Sequence, residues 1–228
     1  MTLHDYHIAR ERMVREQLEA NGIRSERVLT AMRTVPRHRF LGGDAGSEAY
    51  SRHAFPIGFS QTMTQPYMVA YLTEHLLLEG HETVLEVGTG SGYQAAVISS
   101  LVPRVYSIER IRELAERARG VLDALGHVNV RIKVDDGALG WPEEGPFDRI
   151  LLTAAATEIP ESLLHQLCEG GFLLGPVSRN ENEQEIIKLV RQGTKYSFER
   201  LKDCAFVPLI RDGRGHDTSV ISDLADLC

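Results

Sequence analysis

Three acids and a glycine turn hold the groups best suited to chemistry in this chain. Glu86 falls near the end of an apolar run, Thr83 to Val87, and Gly88, Gly90 and Gly92 follow at alternate positions. Glycines so spaced let the backbone turn tightly and bring bare N–H groups against a ligand. Glu109 lies 17 residues past Gly92, the spacing at which an acid reaches the two ribose hydroxyls of an adenosine. Asp136-Gly137 follows a third apolar run. A carboxylate there can accept from an adenine amino group, and Gly137 would leave room for the ring. Thr153-Ala154-Ala155-Ala156 closes a fourth run with small side chains, an open floor beside a ligand. Plain alternatives exist: Glu86 as a solvated strand-end acid, Asp136 as the turn-former before a glycine. One ligand, however, accounts for all three acids.

The ligand class follows from what surrounds them. The turn has one spacer fewer than the dinucleotide fingerprint, and no second mononucleotide half is evident. No Gly-Lys-Ser/Thr phosphate loop occurs, which argues against ATP hydrolysis. An acid-rich, phosphate-free nucleoside site suits S-adenosylmethionine, whose sulfonium is a cation.

The elements that must position these groups alternate. Strands are expected at residues 83–87, 104–108, 128–134, 147–153 and 171–177, with helices at 92–101, 111–125 and 159–168. Such alternation predicts an α/β fold: a doubly wound, mostly parallel sheet of the Rossmann-like class, with helices on both faces. Residues 185–190 and 202–209 read as an antiparallel C-terminal edge, after a polar loop at 179–184. Ahead of the sheet, helices are expected over 8–21, stopped by Gly22, and from N-cap Ser25 to Val35, ended by Pro36. Residues 41–60 read as a long irregular stretch, then a helix over 68–78 capped by Thr64 or Gln65, with Pro66 in its first turn. Gly80 closes that helix. The chain is thus expected to be one domain, 1–228: a substrate-side elaboration (1–80), a cofactor-binding core (81–210) and a tail (211–228).

Bulk properties exclude several classes. A net charge of −7 argues against a general nucleic-acid or anionic-membrane binder. Cys168, Cys204 and Cys228 are odd in number and widely spaced, which suits neither a disulfide framework nor zinc. The histidines show no ligand spacing, so no metal is expected. No signal peptide or membrane span is visible, and a cytoplasmic location is expected.

The residues also carry a family resemblance. Pro56-Ile57-Gly58, Gln61-Thr62, Gln65-Pro66-Tyr67, Val84 through Tyr93, Val105 through Arg110, Leu139-Gly140-Trp141-Pro142 and Phe206 through Leu209 resemble the protein-L-isoaspartate O-methyltransferases, class I S-adenosylmethionine enzymes. The resemblance spans roughly residues 8 to 210. It implies methyl transfer to the α-carboxylate of L-isoaspartyl residues in damaged proteins, for repair, by a protein expected to be a monomer. The implied cofactor set is Glu86, Gly88, Thr89, Gly90, Ser91, Gly92, Glu109, Arg110, Asp136 and Gly137. The family's active-site hydroxyl is a Ser, and here that position is Thr64. Ser60, Gln61, Thr62 and Val207 are implied to grip the peptide. Phe59-Ser60 departs from the His-Gly common in bacterial members, and Thr157 from the usual Pro.

Other readings use the same fold with different chemistry. An adenine amino methyltransferase is expected to carry Asn/Asp-Pro-Pro-Tyr/Phe where Thr153-Ala154-Ala155-Ala156 stands. A methyltransferase acting on another carboxylate or small molecule, or an inactive cofactor-binding module, would share the cofactor set. A nicotinamide oxidoreductase would need tight NAD binding, which is not expected here.

Overall fold

Thr2 caps the first helix in the computed structural model, which describes residues 2–41, 46–180, 183–211 and 220–221. Its side chain accepts from the Asp5 N–H, and the Asp5 carboxylate accepts from Thr2 N, a reciprocal capping box. Helix α1 (Leu3–Met13) therefore begins five residues ahead of the expected start. It continues through a π turn (Val14–Leu18) and a 3-10 turn (Glu19–Asn21) to Gly22, the expected stop, at φ 98°. Ser25 caps α2 (Glu26–Thr34) by accepting from Val28 N, as expected, and Val28, Leu29, Ala31 and Met32 are buried.

The stretch at 41–60 is not all irregular. Strands β1 (Phe55–Gly58) and β2 (Gln61–Met63) pair as a hairpin whose two turn residues, Phe59 and Ser60, have φ 54° and 58°. Two positive-φ residues are the type I′ requirement, normally met by Asn-Gly. Phe-Ser carries no such signal, which hid the turn. Helix α3 (Pro66–His75) starts two residues early, with Pro66 in its first turn and Gln65 at the cap position. It ends before Leu77, at φ 51°, and not at Gly80.

The core follows as β3 (Thr83–Val87), α4 (Tyr93–Ser99), β4 (Arg104–Glu109), α5 (Arg112–Ala124), β5 (Val130–Val134) and β6 (Phe147–Leu152). The helix expected over 159–168 is instead three pieces: β7 (Ile159–Pro160), the short α6 (Glu161–His165), and the start of β8 (Leu167–Ser178). Pro160 opens α6, and the buried Leu163, Leu164 and Leu167 pull both pieces inward. The edge hairpin is β9 (Gln184–Gln192) and β10 (Lys195–Cys204), turning at Gly193 with φ 65°. The second strand therefore lies well ahead of the expected 202–209. A final pair of residues, β11 (Val220–Ile221), pairs antiparallel with β7. Most of the expected tail, and residues 181–182 of the polar loop, lie outside the described residues.

Seven strands make one sheet in the order β10-β9-β8-β6-β3-β4-β5. Five of them run parallel, and β9 and β10 form the antiparallel edge. Alternate residues face two separate apolar cores, as the period-2 pleat requires: Val84, Val105 and Leu151 point into one, Leu85, Tyr106 and Ile150 into the other. The first core also takes residues of α1 to α5, and the second those of α6. Because β4 and β6 leave β3 on opposite sides, the crevice over the carboxyl end of β3 is the switch point of the sheet.

Candidate active site

The chain turns out of β3 at Gly88, whose φ is 101°. A side chain there would sit 2.3 Å from Thr153 Oγ1, and that hydroxyl lies 2.6 Å from the Gly88 carbonyl oxygen. The glycine is thus required twice, by conformation and by the close approach of the next loop. Gly88 N and Thr89 N donate to the Ile108 carbonyl, tying the turn to β4. Glu109 then fastens it from the side: its carboxylate accepts from Gly90 N at 2.8 Å and from Ile111 N at 2.9 Å. A carboxylate offers about four acceptor positions, so two remain for a diol.

A cleft opens over this turn. Gly88, Thr89, Gly90, Ser91, Glu109 and Arg110 line one part of it, with Gly137. Gln61, Thr62 and Thr64 line another, with Val207. Val207 arrives from far along the chain because Ala155 N donates to its carbonyl and Leu209 N donates back to Ala155, each at 2.8 Å.

Four expected residues do not line this cleft. Gly92 is the left-handed cap of α4, packed 3.1 Å from Ala118 at its missing Cβ. Asp136 is buried, and its Oδ1 accepts from Ala138 N to hold the 137–139 turn. Ser60 is exposed at the hairpin tip. Glu86 is fully buried and takes a hydrogen bond from the Ser107 hydroxyl, which in turn meets Thr89 Oγ1 at 2.6 Å. Its Oε1 has no partner, and burial, with Glu109 nearby, pushes its pKa up to about 8. It is not the solvated acid of the plain alternative. Gly137 also has a packing role that the sequence did not signal: a side chain there would strike Val87 Cγ1 at 2.5 Å, so the glycine lets its loop pack on β3.

Thr64 occupies a wall between two cavities. A second cavity shares Thr62, Thr64, Thr153 and Val207 with the cleft and extends away from it past Gln65 and Phe206. Gln65, not Thr64, stands at the cap position of α3, and it forms no side-chain cap. The Thr64 hydroxyl makes no hydrogen bond to any described residue. Its carbonyl, by contrast, is gripped by Arg37.

Arg37 escaped the sequence reading. It is fully buried, donating from Nε to the Ala49 carbonyl and from Nη2 to the Thr64 carbonyl, each at 2.8 Å, with its guanidinium 4.8 Å from the Tyr93 ring centre. Burial lowers its pKa to about 10, which leaves it charged at neutral pH. In sequence it is one of several basic residues after Pro36, with nothing to mark it as the buried one. One group of metal-ligand type occurs among the described residues, Glu79, His81 and Glu82, and no member lines either cavity. The Glu82 carboxylate is already taken by three backbone N–H groups.

These residues fit an adenosine bearing a cation: a tight glycine turn, a carboxylate with acceptor positions to spare, and no phosphate-binding lysine in the lining. Comparison with known proteins agrees. A profile of the family "Protein-L-isoaspartate(D-aspartate) O-methyltransferase" matches residues 9–214. The chain belongs to this family. A protein-L-isoaspartate O-methyltransferase of Syntrophotalea carbinolica is 51% identical over 207 residues, 90% of this chain and 95% of that relative. One from Geobacter metallireducens is 47% identical over the same share of each. A solved protein-L-isoaspartate O-methyltransferase superposes with a TM-score of 0.81 at 28% identity, covering 87% of this chain and 65% of that one. A solved Plasmodium falciparum structure in complex with S-adenosyl-L-homocysteine shares the fold, with a TM-score of 0.78, 24% identity and coverage of 89% and 99%. The family profile thus begins within the first helix and takes in the sheet.

Proposed function

We infer that this chain transfers a methyl group from S-adenosylmethionine to the α-carboxylate of L-isoaspartyl residues in damaged proteins, with Thr64 as the residue that orients the acceptor. The observation that carries Thr64's role is its place in the wall shared by the glycine-lined cleft and the second cavity, with its hydroxyl uncommitted. S-adenosylmethionine, when bound, supplies an electrophilic methyl on a sulfonium. Glu109, with acceptor positions to spare, would hold the ribose hydroxyls, and Gly137, which follows the buried Asp136, would flank the adenine. The turn from Gly88 through Ser91, with Arg110, would hold the rest. Glu86 and Gly92 act from beneath, holding the turn's shape.

A carboxyl group with a pKa near 4 is ionised at neutral pH, so the acceptor needs no general base. What it needs is alignment and exclusion of water, and positioning can supply several kcal/mol of the barrier. Thr64 donates one hydrogen bond to the acceptor carboxylate, and Arg37 fixes the backbone that carries it. The uncapped first-turn N–H groups of α3 add donors for an anion. Main-chain groups of Gln61, Thr62 and Val207 hold the peptide; Ser60 lies at the hairpin tip, outside both cavities. The methyl that Thr has and Ser lacks stiffens the side chain in place.

The test is turnover on an isoaspartyl peptide beside its normal-aspartyl twin. Only the isoaspartyl peptide should be methylated. A hydrogen bond to a charged group is worth about 1.5–3 kcal/mol. Thr64→Val should therefore lower kcat/KM by about 10- to 100-fold, and Thr64→Ser should retain activity. Unchanged turnover in Thr64→Val removes the hydroxyl from the chemistry. We further read the chain as one domain acting as a monomer in the cytoplasm, away from nucleic acid and membrane. Its net charge of −7 argues against nucleic acid and anionic membrane as partners, and no helix among the described residues is long and apolar enough to cross a membrane.

A further inference from the structure

The second cavity carries one fixed charge in its lining, that of Arg52, with no acid to balance it. Arg52 and His53 are among the eleven described residues that line it, and none of the eleven is acidic. The cleft over the glycine turn, by contrast, sets Glu109 beside Arg110, one charge of each sign. Arg52 and His53 are exposed, and neither joins an ion pair or hydrogen bond with a described residue. They line the second cavity alone, whereas Thr62, Thr64, Thr153 and Val207 line both. The acceptor carboxylate belongs at that shared wall, because it must meet the methyl there. Arg52 and His53 lie past it, on the side away from the cleft, where the neighbouring residues of a bound peptide must run. A guanidinium without an acid partner, facing such a channel, is a ready carboxylate receptor.

We propose that Arg52, assisted by His53, selects isoaspartyl substrates that carry an acidic side chain next to the damaged residue. The proposal rests on the reading of the Thr64 wall as the acceptor site. Arg52 and His53 are both solvent-exposed, so the expected effect is modest and weakened by salt.

The experiment uses isoaspartyl peptides that differ only in one flanking residue, Glu, Gln or Lys, placed in turn on each side of the isoaspartate. Initial rates give KM and kcat at low and high ionic strength. At low salt the Glu peptide should show a KM about 5-fold below that of the Lys peptide for one of the two flanks. The gap should shrink with salt. Arg52→Lys should keep the order and Arg52→Glu should reverse it, with the cofactor-induced rise in Tm checking that each variant folds. Equal KM values for all three peptides in the native enzyme, or the same ranking in Arg52→Glu, overturn the proposal while leaving the methyltransferase assignment standing. Failure to methylate any of the peptides overturns both.

Discussion

Glu86 is an acid sealed beneath the cofactor turn, with one oxygen on Ser107 and the other unpartnered. Its pKa in the folded chain, about 8, lies above the ordinary 4.5. Between those values the folded chain keeps a proton that the unfolded chain has released. Stability contributed by this group is therefore full below about pH 4.5 and lost as pH rises toward 8, at up to roughly 1.4 kcal/mol per pH unit. Glu86→Gln cannot ionise. Cofactor-free Glu86→Gln should show a flatter Tm profile between pH 5 and 8, and the native and variant profiles should diverge most near pH 8. Parallel profiles would mean that Glu86 is ionised in the folded chain. At this scale the sequence was most informative where type and spacing coincide. Glu109 could be placed by its distance from the glycines, because strand–turn–helix units have nearly fixed lengths. Arg37 could not, because nothing local distinguishes a buried arginine from an exposed one; its role comes from the Ala49 and Thr64 carbonyls that converge on it from elsewhere in the chain.

The hairpin of β1 and β2 shows what the element scale adds. Phe59 and Ser60 both hold a left-handed backbone without being glycine. That costs about 1 kcal/mol for each such residue. The Arg117 guanidinium holds the hairpin down, donating to the Ile57 carbonyl at 2.7 Å and lying 5.7 Å from the Phe59 ring centre. Ser60→Gly should relieve one residue's share and raise Tm by about 2–4 °C. Because Ser60 lies outside both cavities, kcat/KM should hold. A lowered Tm would show that the serine, not the backbone, sets the turn. Elements were legible where their apolar period is unbroken, as in β3, β4, β6 and α5. They were misread where one residue overrides the pattern. The Thr2–Asp5 box starts α1 early, Pro160 splits the expected helix, and Gly193 places the edge turn ahead of its expected position.

Across the whole molecule, the N-terminal helices and the sheet bury side chains in the same apolar core, with Leu18, Met32 and Leu72 in one cluster with Val84 and Val105. We expect a single cooperative unfolding transition, with no early loss of residues 1–80. Cofactor at a hundred times its dissociation constant should stabilise that transition by about 2.7 kcal/mol. A cofactor that raised only the second of two resolved transitions would instead divide the chain into independent units. That the sheet is mostly parallel was legible from alternation alone, since parallel strands require crossovers; its strand order was not. The return of Val207 to the floor beside Ala155 was not, because main-chain pairing between segments fifty residues apart leaves no periodicity in either.

With Thr64 in its proposed role, its half-buried place in a partition between two hollows would limit which clients the enzyme can serve. A damaged residue held in a helix or an inner strand keeps its backbone engaged and cannot thread into such a recess. Only a stretch already loosened from its own architecture, a frayed end or a long surface loop, can offer its carboxylate at that depth. Damage would thus be screened by local slackness of the client as well as by its chemistry, and a rigid protein carrying the same lesion would go unrepaired until it loosens.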